Sequence, residues 1–482
     1  MLDDTTARVA SCITATCAFA LGCGRAPALG AEVAVVGESA RVRLEDPRPA
    51  ATPWFDGKAL ALVAARGETL GLQILHPGGE PVRLTIGGGG VQVVGYAVGV
   101  FRVSQPSTAL YGGSHGAGRY ADGLALAPEP STSPAYLEVT IAADAAPGAR
   151  TGELAVGARR YPVTLTIAHV TLPALGVARV WAYEDPRELG STGVAPSDGE
   201  RACIATFARY GVLLSPDLQS AWWPARRELL GGVRDVPAVI DNADDVRGWI
   251  AATQGTGQVP FAIPIDEPRT AEARAKVRAL ATQVRAAGGG PATFRFAVTD
   301  APHADYGDLV DLYISWRAAH LGDRNERWTY NGAPPYAGSL VLDAESPGTR
   351  TWGWIGWRWN IPVWYVWDAL YWHDRHNSKR GLELADPVSF DDGDDHGNLD
   401  GVLALPGCRP TLRLAAVRRG LQDRQLLELA ARCDQPAATA LAARMVPRAL
   451  GDATGSAPSW PTDESTWELA RRELLAIAAR CR

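Results

Sequence analysis

The sequence after Pro173 alternates short apolar segments with amphipathic helical segments, and this alternation constrains the fold more than any other feature. Strands separated by helices assemble into parallel sheets, and a long series of such units predicts a (β/α)8 barrel of the TIM type. Helical segments lie at Gly199–Tyr210, Ala243–Ala252 and Thr270–Ala287. The candidate strands, one fewer than a barrel requires, are Arg179–Tyr183, Gly211–Leu214, Val259–Ile265, Thr293–Val298, Leu309–Ser315, Arg327–Tyr330 and Val363–Trp367.

The residues on either side of this region have other patterns. Short apolar runs separated by Gly and Pro turns precede it, and this pattern predicts an antiparallel β-sandwich. Leu/Ala-rich helical segments follow at Thr411–Cys433, the expected last barrel helix, and Thr466–Arg480. We therefore expect a multidomain chain with a leader over residues 1–30, the sandwich over 31–173, the barrel over 174–433 and a C-terminal helical extension over 434–482.

The first residues resemble an export signal. An apolar, small-residue run from Val9 to Gly22 is too short to span a bilayer, but it suits the hydrophobic part of a signal peptide. It ends at Cys23, which would be the lipidated residue of a bacterial lipoprotein. In an exported protein Cys433 and Cys481 could form a disulfide, and buried free thiols are the alternative. The sequence thus predicts an exported protein, periplasmic or on the outer surface, with a possible lipid anchor.

Charge excludes one large class of partner. The 47 Lys and Arg residues are interspersed with 53 Asp and Glu residues, and the formal net charge is -6. A protein that binds nucleic acid needs a basic face or stripe, and this sequence has none. We expect no nucleic-acid partner and no obligate protein partner.

The most informative local feature is an apolar strand that runs into Asp266 and Glu267, followed by Pro268. Catalytic residues of a parallel barrel lie at the carboxyl ends of its strands. Two neighbouring carboxyl groups in such a place can divide the roles of anion and proton donor, which is what glycoside hydrolysis needs. The alternative is that one of them caps the helix that begins near Thr270.

A second feature is an aromatic cluster. Seven of the sixteen Trp residues lie between Trp352 and Trp372. Tryptophan at a barrel mouth is suited to packing on the apolar faces of sugars, but tryptophan is also a common core residue. We assign most of the cluster to the core and expect Trp367 and Tyr365 to reach the site.

No motif predicts a cofactor or a metal. The acidic segment from Asp391 to Asp400 offers oxygen ligands at Asp392, Asp394, Asn398 and Asp400, but its spacing is not that of an EF-hand. A solvated loop is the preferred interpretation of this segment, and a calcium site is the alternative. Serine-hydrolase, zinc-protease and nucleotide-binding motifs are absent from the sequence.

In their order, these pieces resemble the glycoside hydrolase family 123 and domain-of-unknown-function 4091 (DUF4091) group. The resemblance covers most of the chain after the leader, and its most specific run is Leu412-Arg413-Leu414 with Arg418-Arg419-Gly420-Leu421-Gln422-Asp423. The other matching runs are Ala65-Arg66-Gly67-Glu68, Arg119-Tyr120-Ala121-Asp122-Gly123-Leu124, Ala146–Gly152, Ile265-Asp266-Glu267-Pro268, Leu342-Asp343 to Arg350, Trp364-Tyr365-Val366-Trp367 and Leu403-Ala404-Leu405-Pro406-Gly407. The resemblance departs before Trp367, where Pro362-Val363 replaces the usual glycine.

The resemblance implies a substrate-assisted, retaining hydrolysis of β-linked N-acetylhexosaminides such as N-acetylgalactosaminides. In that mechanism the 2-acetamido oxygen of the substrate attacks the anomeric carbon. Asp266 would orient the acetamido group, and Glu267 would be the general acid and then the general base. Both carboxylates can reach one sugar only if the chain turns just after Asp266, since neighbouring residues of a strand face opposite ways.

The resemblance also suggests which residues would bind the sugar. These are Trp367, Tyr330 and Tyr365, together with Tyr183 and Asp300. The leading hypothesis is an exported glycosidase with a glycan or glycoconjugate substrate and no cofactor. The alternative hypothesis is a non-catalytic surface lipoprotein that binds carbohydrate.

Overall fold

The computed structural model describes residues 32–126, 134–230, 232–316, 326–374, 381–383 and 385–481. Cys23 and the rest of the predicted leader lie outside the described residues. The N-terminal part contains nine strands: β1 (Ala34–Gly37), β2 (Leu60–Arg66), β3 (Thr69–Leu75), β4 (Val82–Ile86), β5 (Val91–Val103), β6 (Gly118–Leu126), β7 (Ala135–Ile141), β8 (Gly148–Val156) and β9 (Arg159–Thr171).

These strands form two sheets, with the orders β1-β3-β7-β5-β6 and β2-β9-β8-β4. Alternate residues of both sheets point into one shared apolar cluster, which includes Leu72, Val139, Leu62 and Leu165. All strand pairs but one are antiparallel; β2 and β9 run parallel, with Leu60 opposite Val163. The prediction of a purely antiparallel region is therefore wrong at this pair. Strands as distant in sequence as β2 and β9 can be joined in parallel because the intervening chain makes the crossover.

Eight parallel strands follow and form one sheet: β10 (Val180–Tyr183), β11 (Leu213–Ser215), β12 (Asp235–Pro237), β13 (Val259–Ala262), β14 (Arg295–Val298), β15 (Leu312–Ile314), β16 (Glu326–Tyr330) and β17 (Trp364–Val366). They pair in sequence order, and β17 returns to pair with β10. Between β11 and β12 the ladder is reduced to one bridge, in which Val239 N–H donates to the Leu218 carbonyl at 2.9 Å. The barrel is thus nearly closed.

The helices of the barrel are α1 (Asp198–Arg209), α2 (Trp223–Arg226), α3 (Ala243–Thr253), α4 (Ala271–Ala286) and α5 (Thr351–Arg358). The eighth strand, which the sequence did not reveal, is β12. It has only three residues, of which the first is Asp235 and the last is Pro237. Asp and Pro are both depleted in strands, so the segment does not stand out as one.

Aromatic rings fill the interior of the barrel. Trp181 of β10 stacks on Tyr365 of β17, with ring centroids 4.7 Å apart, and meets the edge of Phe261 of β13 at 5.3 Å. Phe261 in turn packs against Trp328 of β16 at 4.9 Å. In the sheet, β10 is not a neighbour of β13, and β13 is not a neighbour of β16. Both ring contacts therefore cross the interior of the barrel. They identify the inward-facing positions of these strands.

After β17 the chain forms two hairpins, β18 (Val388–Asp391) with β19 (His396–Asn398) and β20 (Ala404–Leu405) with β21 (Arg409–Pro410). Three helices end the chain: α6 (Leu412–Cys433), α7 (Gln435–Met445) and α8 (Glu464–Ala478). Among the described residues, no helix is long and apolar enough to cross a bilayer.

Buried ion pairs join these C-terminal helices to the N-terminal sheets. Glu68 is fully buried and lies between Arg419 of α6, at 2.7 Å, and Arg471 of α8, at 3.1 Å. Similar pairs link Arg413 to Asp122 at 3.0 Å and Arg418 to Glu38 at 2.8 Å. The runs that carry the family resemblance, around Glu68, Asp122 and residues 412–423, therefore meet in space as a structural network.

The Glu68→Gln variant is expected to lose up to about 3–5 kcal/mol of unfolding free energy, because it removes the carboxylate that two buried guanidinium groups share. Arg419 and Arg471 would then keep only Asp423 and Glu468 as charged partners. The exposed pair between Arg444 and Glu473 is the matched control, and Glu473→Gln should cost less than about 1 kcal/mol. Urea unfolding of both variants measures the difference. Equal midpoints for the two would show that the buried pairs are not needed for stability.

All four Cys residues after the leader are paired. Cys433 and Cys481 form a disulfide with Cα atoms 5.4 Å apart, one of the two alternatives that the sequence left open. Cys203 of α1 and Cys408 of the β20–β21 turn form a second, with Cα atoms 5.3 Å apart. The second pair was not predicted, since 205 residues separate its members.

Candidate active site

The candidate acids lie beyond the carboxyl end of β13. The strand ends at Ala262, three residues earlier than predicted, and Asp266 and Glu267 stand in the loop that follows. Glu267 has a φ of 40°, a left-handed conformation that is uncommon for a residue with a Cβ. The chain thus turns immediately after Asp266, as a shared sugar site requires.

Neither acid caps the next helix. The N-cap of α4 is Thr270, whose hydroxyl accepts the Ala273 N–H at 3.1 Å. The alternative interpretation of Asp266 and Glu267 as helix caps is therefore wrong.

Thr299, directly after β14, holds the two acids together. Its hydroxyl donates to Asp266 Oδ1 at 2.6 Å and accepts the Glu267 backbone N–H at 2.7 Å. One side chain on the neighbouring strand thus fixes both the Asp266 carboxylate and the turn at Glu267. Sequence reasoning missed Thr299, because a single threonine after a strand carries no pattern.

The Thr299→Val variant, which keeps the shape but loses both hydrogen bonds, should lower kcat/KM about tenfold in an enzyme that uses the two acids. Thr299→Ser should restore most of the loss. Thr299→Val should also lower kcat/KM little further in an Asp266→Asn background, because Thr299 and Asp266 act together. Additive losses in the double variant would contradict this role.

The Glu267 carboxylate has partners on both oxygens. The Tyr330 hydroxyl, at the end of β16, donates to Oε1 at 3.1 Å, and the exposed Arg269 guanidinium contacts Oε2. Burial and the negative charge of Glu267 raise the pKa of Tyr330, so its hydroxyl keeps its proton as a donor. The Glu267 side chain remains 33% exposed, so it can be reached from outside.

Tyr365 lies within electrostatic range of several acids at the barrel mouth. It points inward from β17, and burial together with the charges of Asp217, Asp266 and Asp368 raises its pKa well above the usual value. Tyr183, at the end of β10, also acts on it electrostatically. The structure therefore brings together Asp266, Glu267, Tyr330, Tyr365 and Tyr183.

Trp367 lies beside this group and is rigidly held. Its backbone N–H donates to the side chain of Asn331, the residue after Tyr330, at 3.1 Å. Its indole and the Tyr111 hydroxyl hydrogen-bond to Asp400, whose pKa burial raises to about 6. The ring also packs against Tyr371, with centroids 4.9 Å apart. Its predicted contact with sugar stays a prediction.

The structure places Asp300 differently. Its carboxylate accepts from the Tyr306 hydroxyl at 2.7 Å and from the Ala301 N–H at 2.7 Å, both in its own loop. No contact between Asp300 and the acid pair is found among the described residues. Its sugar-binding role stays a prediction.

The acidic segment before Asp400 does not converge on a cation. Asp391 and Asp392 accept backbone N–H groups of the β18–β19 turn, from Gly393 at 3.0 Å and Asp395 at 2.8 Å. Asp400 instead is buried against Trp367 and Tyr111. Within the described ranges, no three His, Cys, Asp or Glu side chains are grouped so as to hold a metal ion.

Two further acids at the barrel mouth were not predicted. Glu184, the residue after β10, is fully buried, and neither carboxyl oxygen has a hydrogen-bond partner among the described residues. Burial, reinforced by the charges of Glu200 and Asp368, raises its pKa well above the usual value. Asp217 follows β11 and, by contrast, is exposed.

The fold and the placement of these residues define an eight-stranded barrel with acids at its carboxyl edge, the class to which many glycoside hydrolases belong. No protein-family model matches the sequence, and no curated protein sequence matches it. Among solved structures, the chain is similar to a family 123 glycoside hydrolase from Clostridium perfringens involved in glycolipid glycan hydrolysis. The TM-score is 0.54 at 9% identity, over 93% of this chain and 98% of that chain.

Two weaker similarities involve other glycoside hydrolases. One is a family 2 member from Bacteroides cellulosilyticus, with a TM-score of 0.26 at 10% identity, over 67% of this chain and 46% of that one. The other is an FMN-binding β-glucuronidase from Facaelibacterium prausnitzii, with a TM-score of 0.25 at 9% identity, over 83% and 61% of the two chains. The family 123 similarity extends over nearly the whole chain and confirms the resemblance predicted from the sequence at the level of the fold.

Proposed function

We propose that this protein is a glycoside hydrolase that cleaves β-linked N-acetylhexosaminides with retention of configuration. The observation that carries the proposal is the arrangement of Asp266 and Glu267, which Thr299 and a left-handed turn hold side by side at the mouth of the barrel. The similarity of the fold to a family 123 glycoside hydrolase supports it.

In the proposed reaction the acetamido oxygen of the substrate forms a bond to the anomeric carbon while the glycosidic bond breaks. Asp266 stabilises the positive charge that develops on the acetamido nitrogen. Glu267 gives a proton to the departing oxygen and later takes one from the water that opens the ring. Tyr330, whose hydroxyl donates to Glu267, keeps that side chain oriented.

Arg269 must leave Glu267 before the proton transfer, because its guanidinium group occupies the Oε2 atom. Arg269 is largely exposed and is free to rotate into solvent. In the proposal, the arriving leaving-group sugar displaces it.

We also propose that the protein is exported, periplasmic or on the outer surface, with Cys23 as a candidate for lipidation. Two disulfides, Cys203–Cys408 and Cys433–Cys481, support this location, because disulfides persist mainly in oxidising compartments. The proposed partner is a glycan or glycoconjugate.

A hydrolysis screen tests the proposal. Aryl β-N-acetylgalactosaminide and β-N-acetylglucosaminide should be cleaved, whereas the aryl β-galactoside, which lacks the acetamido group, should not. Proton NMR during the first minutes should show the β-anomer of the free sugar. Equal cleavage of the galactoside, or an initial α-anomer, would overturn the substrate-assisted mechanism.

One observation favours the alternative, a protein that binds carbohydrate without cleaving it. Arg269 and Tyr330 occupy both oxygens of Glu267 in the structure. If Arg269 stays in place when sugar binds, Glu267 cannot act as an acid. Binding on a glycan array without turnover, unchanged by Glu267→Gln, would support this alternative.

A further inference from the structure

Asp217 occupies an inward-facing position two inward residues beyond Leu213, which is level with the aromatic layer of Trp181 and Tyr365. In the register of the sheet, Trp181 lies opposite Leu213, and Tyr183 lies opposite Ser215. Trp181 points into the interior, so alternate residues along β11 and its continuation follow it. Asp217 is two residues beyond Ser215 and lies at the carboxyl edge where substrates enter.

The charge of Asp217 is felt in the centre of the site. Together with Asp266 and Asp368, it contributes to the raised pKa of Tyr365. Asp217 and Asp266 follow different strands, β11 and β13, and both act electrostatically on the same tyrosine.

Asp217 differs from Glu184, the other acid of the barrel mouth without a hydrogen-bond partner among the described residues, in being accessible. Its neighbours Pro216 and Leu218 are buried, while Asp217 itself is exposed. No hydrogen bond from a described residue reaches its carboxylate, and desolvation by the surrounding protein raises its pKa to about 7. An accessible carboxylate without a partner can accept hydrogen bonds from a ligand.

We propose that Asp217 is a substrate-binding carboxylate that accepts hydrogen bonds from hydroxyl groups of the sugar held over Tyr365. The inference rests on the proposed function for the identity of the sugar. In this proposal the choice of sugar depends on Asp217, which follows β11, whereas the acids of the reaction lie in the loop after β13. Sugars that lack the bonded hydroxyl are discriminated against, because the carboxylate is then left without a partner.

Kinetics of Asp217→Ala test this role. Hydrogen bonds to a charged group are strong enough that their loss should lower kcat/KM for the aryl N-acetylhexosaminide by about 10- to 100-fold, mainly through a higher KM. Asp217→Asn keeps an acceptor and should lose less. Asp144→Asn, an exposed carboxylate between β7 and β8, is the control and should behave as the wild type.

Two readouts separate binding from a structural effect. With a deoxy sugar that lacks the bonded hydroxyl as the substrate, Asp217→Ala should lower kcat/KM hardly any further, since both changes remove the same contact. The kcat/KM of the wild type should also fall as the pH decreases through about 7, because Asp217 takes up a proton. The pH profile of Asp217→Asn should lack this decrease. Equal losses for every deoxy sugar, with an unchanged pH profile, would overturn the proposal.

Calorimetric titration with free N-acetylgalactosamine and N-acetylglucosamine distinguishes this inference from the proposed function. If the wild type is active and Asp217→Ala has the same kinetics, only the proposed role of Asp217 is overturned. Binding that is weakened 10- to 100-fold by Asp217→Ala, in a wild type without turnover, supports the role of Asp217 and overturns the proposed reaction. Neither binding nor turnover in the wild type overturns both.

Discussion

Glu267→Gln is expected to abolish measurable hydrolysis of aryl β-N-acetylgalactosaminides, with kcat/KM lower by about 10²- to 10⁴-fold. Glutamine keeps the size of the side chain and can still accept the Tyr330 hydroxyl, so the turn at residue 267 should persist. It can neither give a proton to the leaving group nor take one from water. Initial rates with a chromogenic substrate measure the effect.

The leaving group shows whether the loss comes from acid catalysis. A poor leaving group needs the proton of Glu267 much more than a dinitrophenolate does, so the deficit of Glu267→Gln should grow as the leaving group becomes more basic. A matched control is Glu272→Gln, an exposed carboxylate in the first turn of α4. Normal turnover by Glu267→Gln would refute the assignment of Glu267 as the general acid. A loss of kcat/KM that does not depend on the leaving group would limit Glu267 to a structural role.

Asp266→Asn is the second large effect, with an expected loss of about 10²- to 10³-fold in kcat/KM, the usual consequence of removing one fixed electrostatic contact from a transition state. The amide is neutral and cannot stabilise the positive charge that develops on the acetamido nitrogen. It can still accept the Thr299 hydroxyl, so the local structure should be retained. The measurement is kcat/KM together with the inhibition constant of a thiazoline analogue of the cyclic intermediate.

The two quantities should change in parallel, because the analogue carries the geometry and charge of the intermediate. Asp144→Asn serves again as the control. If Asp266→Asn weakened the substrate and the analogue equally and left kcat unchanged, Asp266 would bind the sugar without taking part in the reaction.

The acid pair could be predicted from the sequence because it follows an apolar strand, and strand ends form the active face of a parallel barrel. Thr299, which supports the pair, and Asp217 could not be predicted. They follow different short strands, β14 and β11, and only the folded sheet brings these strand ends to the same mouth. The same holds for Cys203 and Cys408, whose contact depends on how α1 packs beside the β20–β21 turn.

The fold was predictable where its periodicity is strong. The expected helices agree with α1, α3, α4 and α6 to within a residue or so, because their apolar positions recur at helical spacing. The strand β12 and the parallel pairing of β2 with β9 were not visible, since the first is very short and the second depends on the path of the chain between them. Which strands pair with one another in a sheet depends on the tertiary structure and not on the local sequence alone.

The buried pairs of Glu68, Asp122 and Glu38 with arginines of α6 and α8 also decide whether the barrel can exist as a separate module. Excision of the N-terminal sheets would remove the carboxylate partners of Arg413 and Arg418 and leave Arg419 with Asp423 of its own helix only. An isolated barrel fragment would therefore expose a basic face on that helix. Gene fusions and domain swaps in this architecture should accordingly preserve both halves of the chain together.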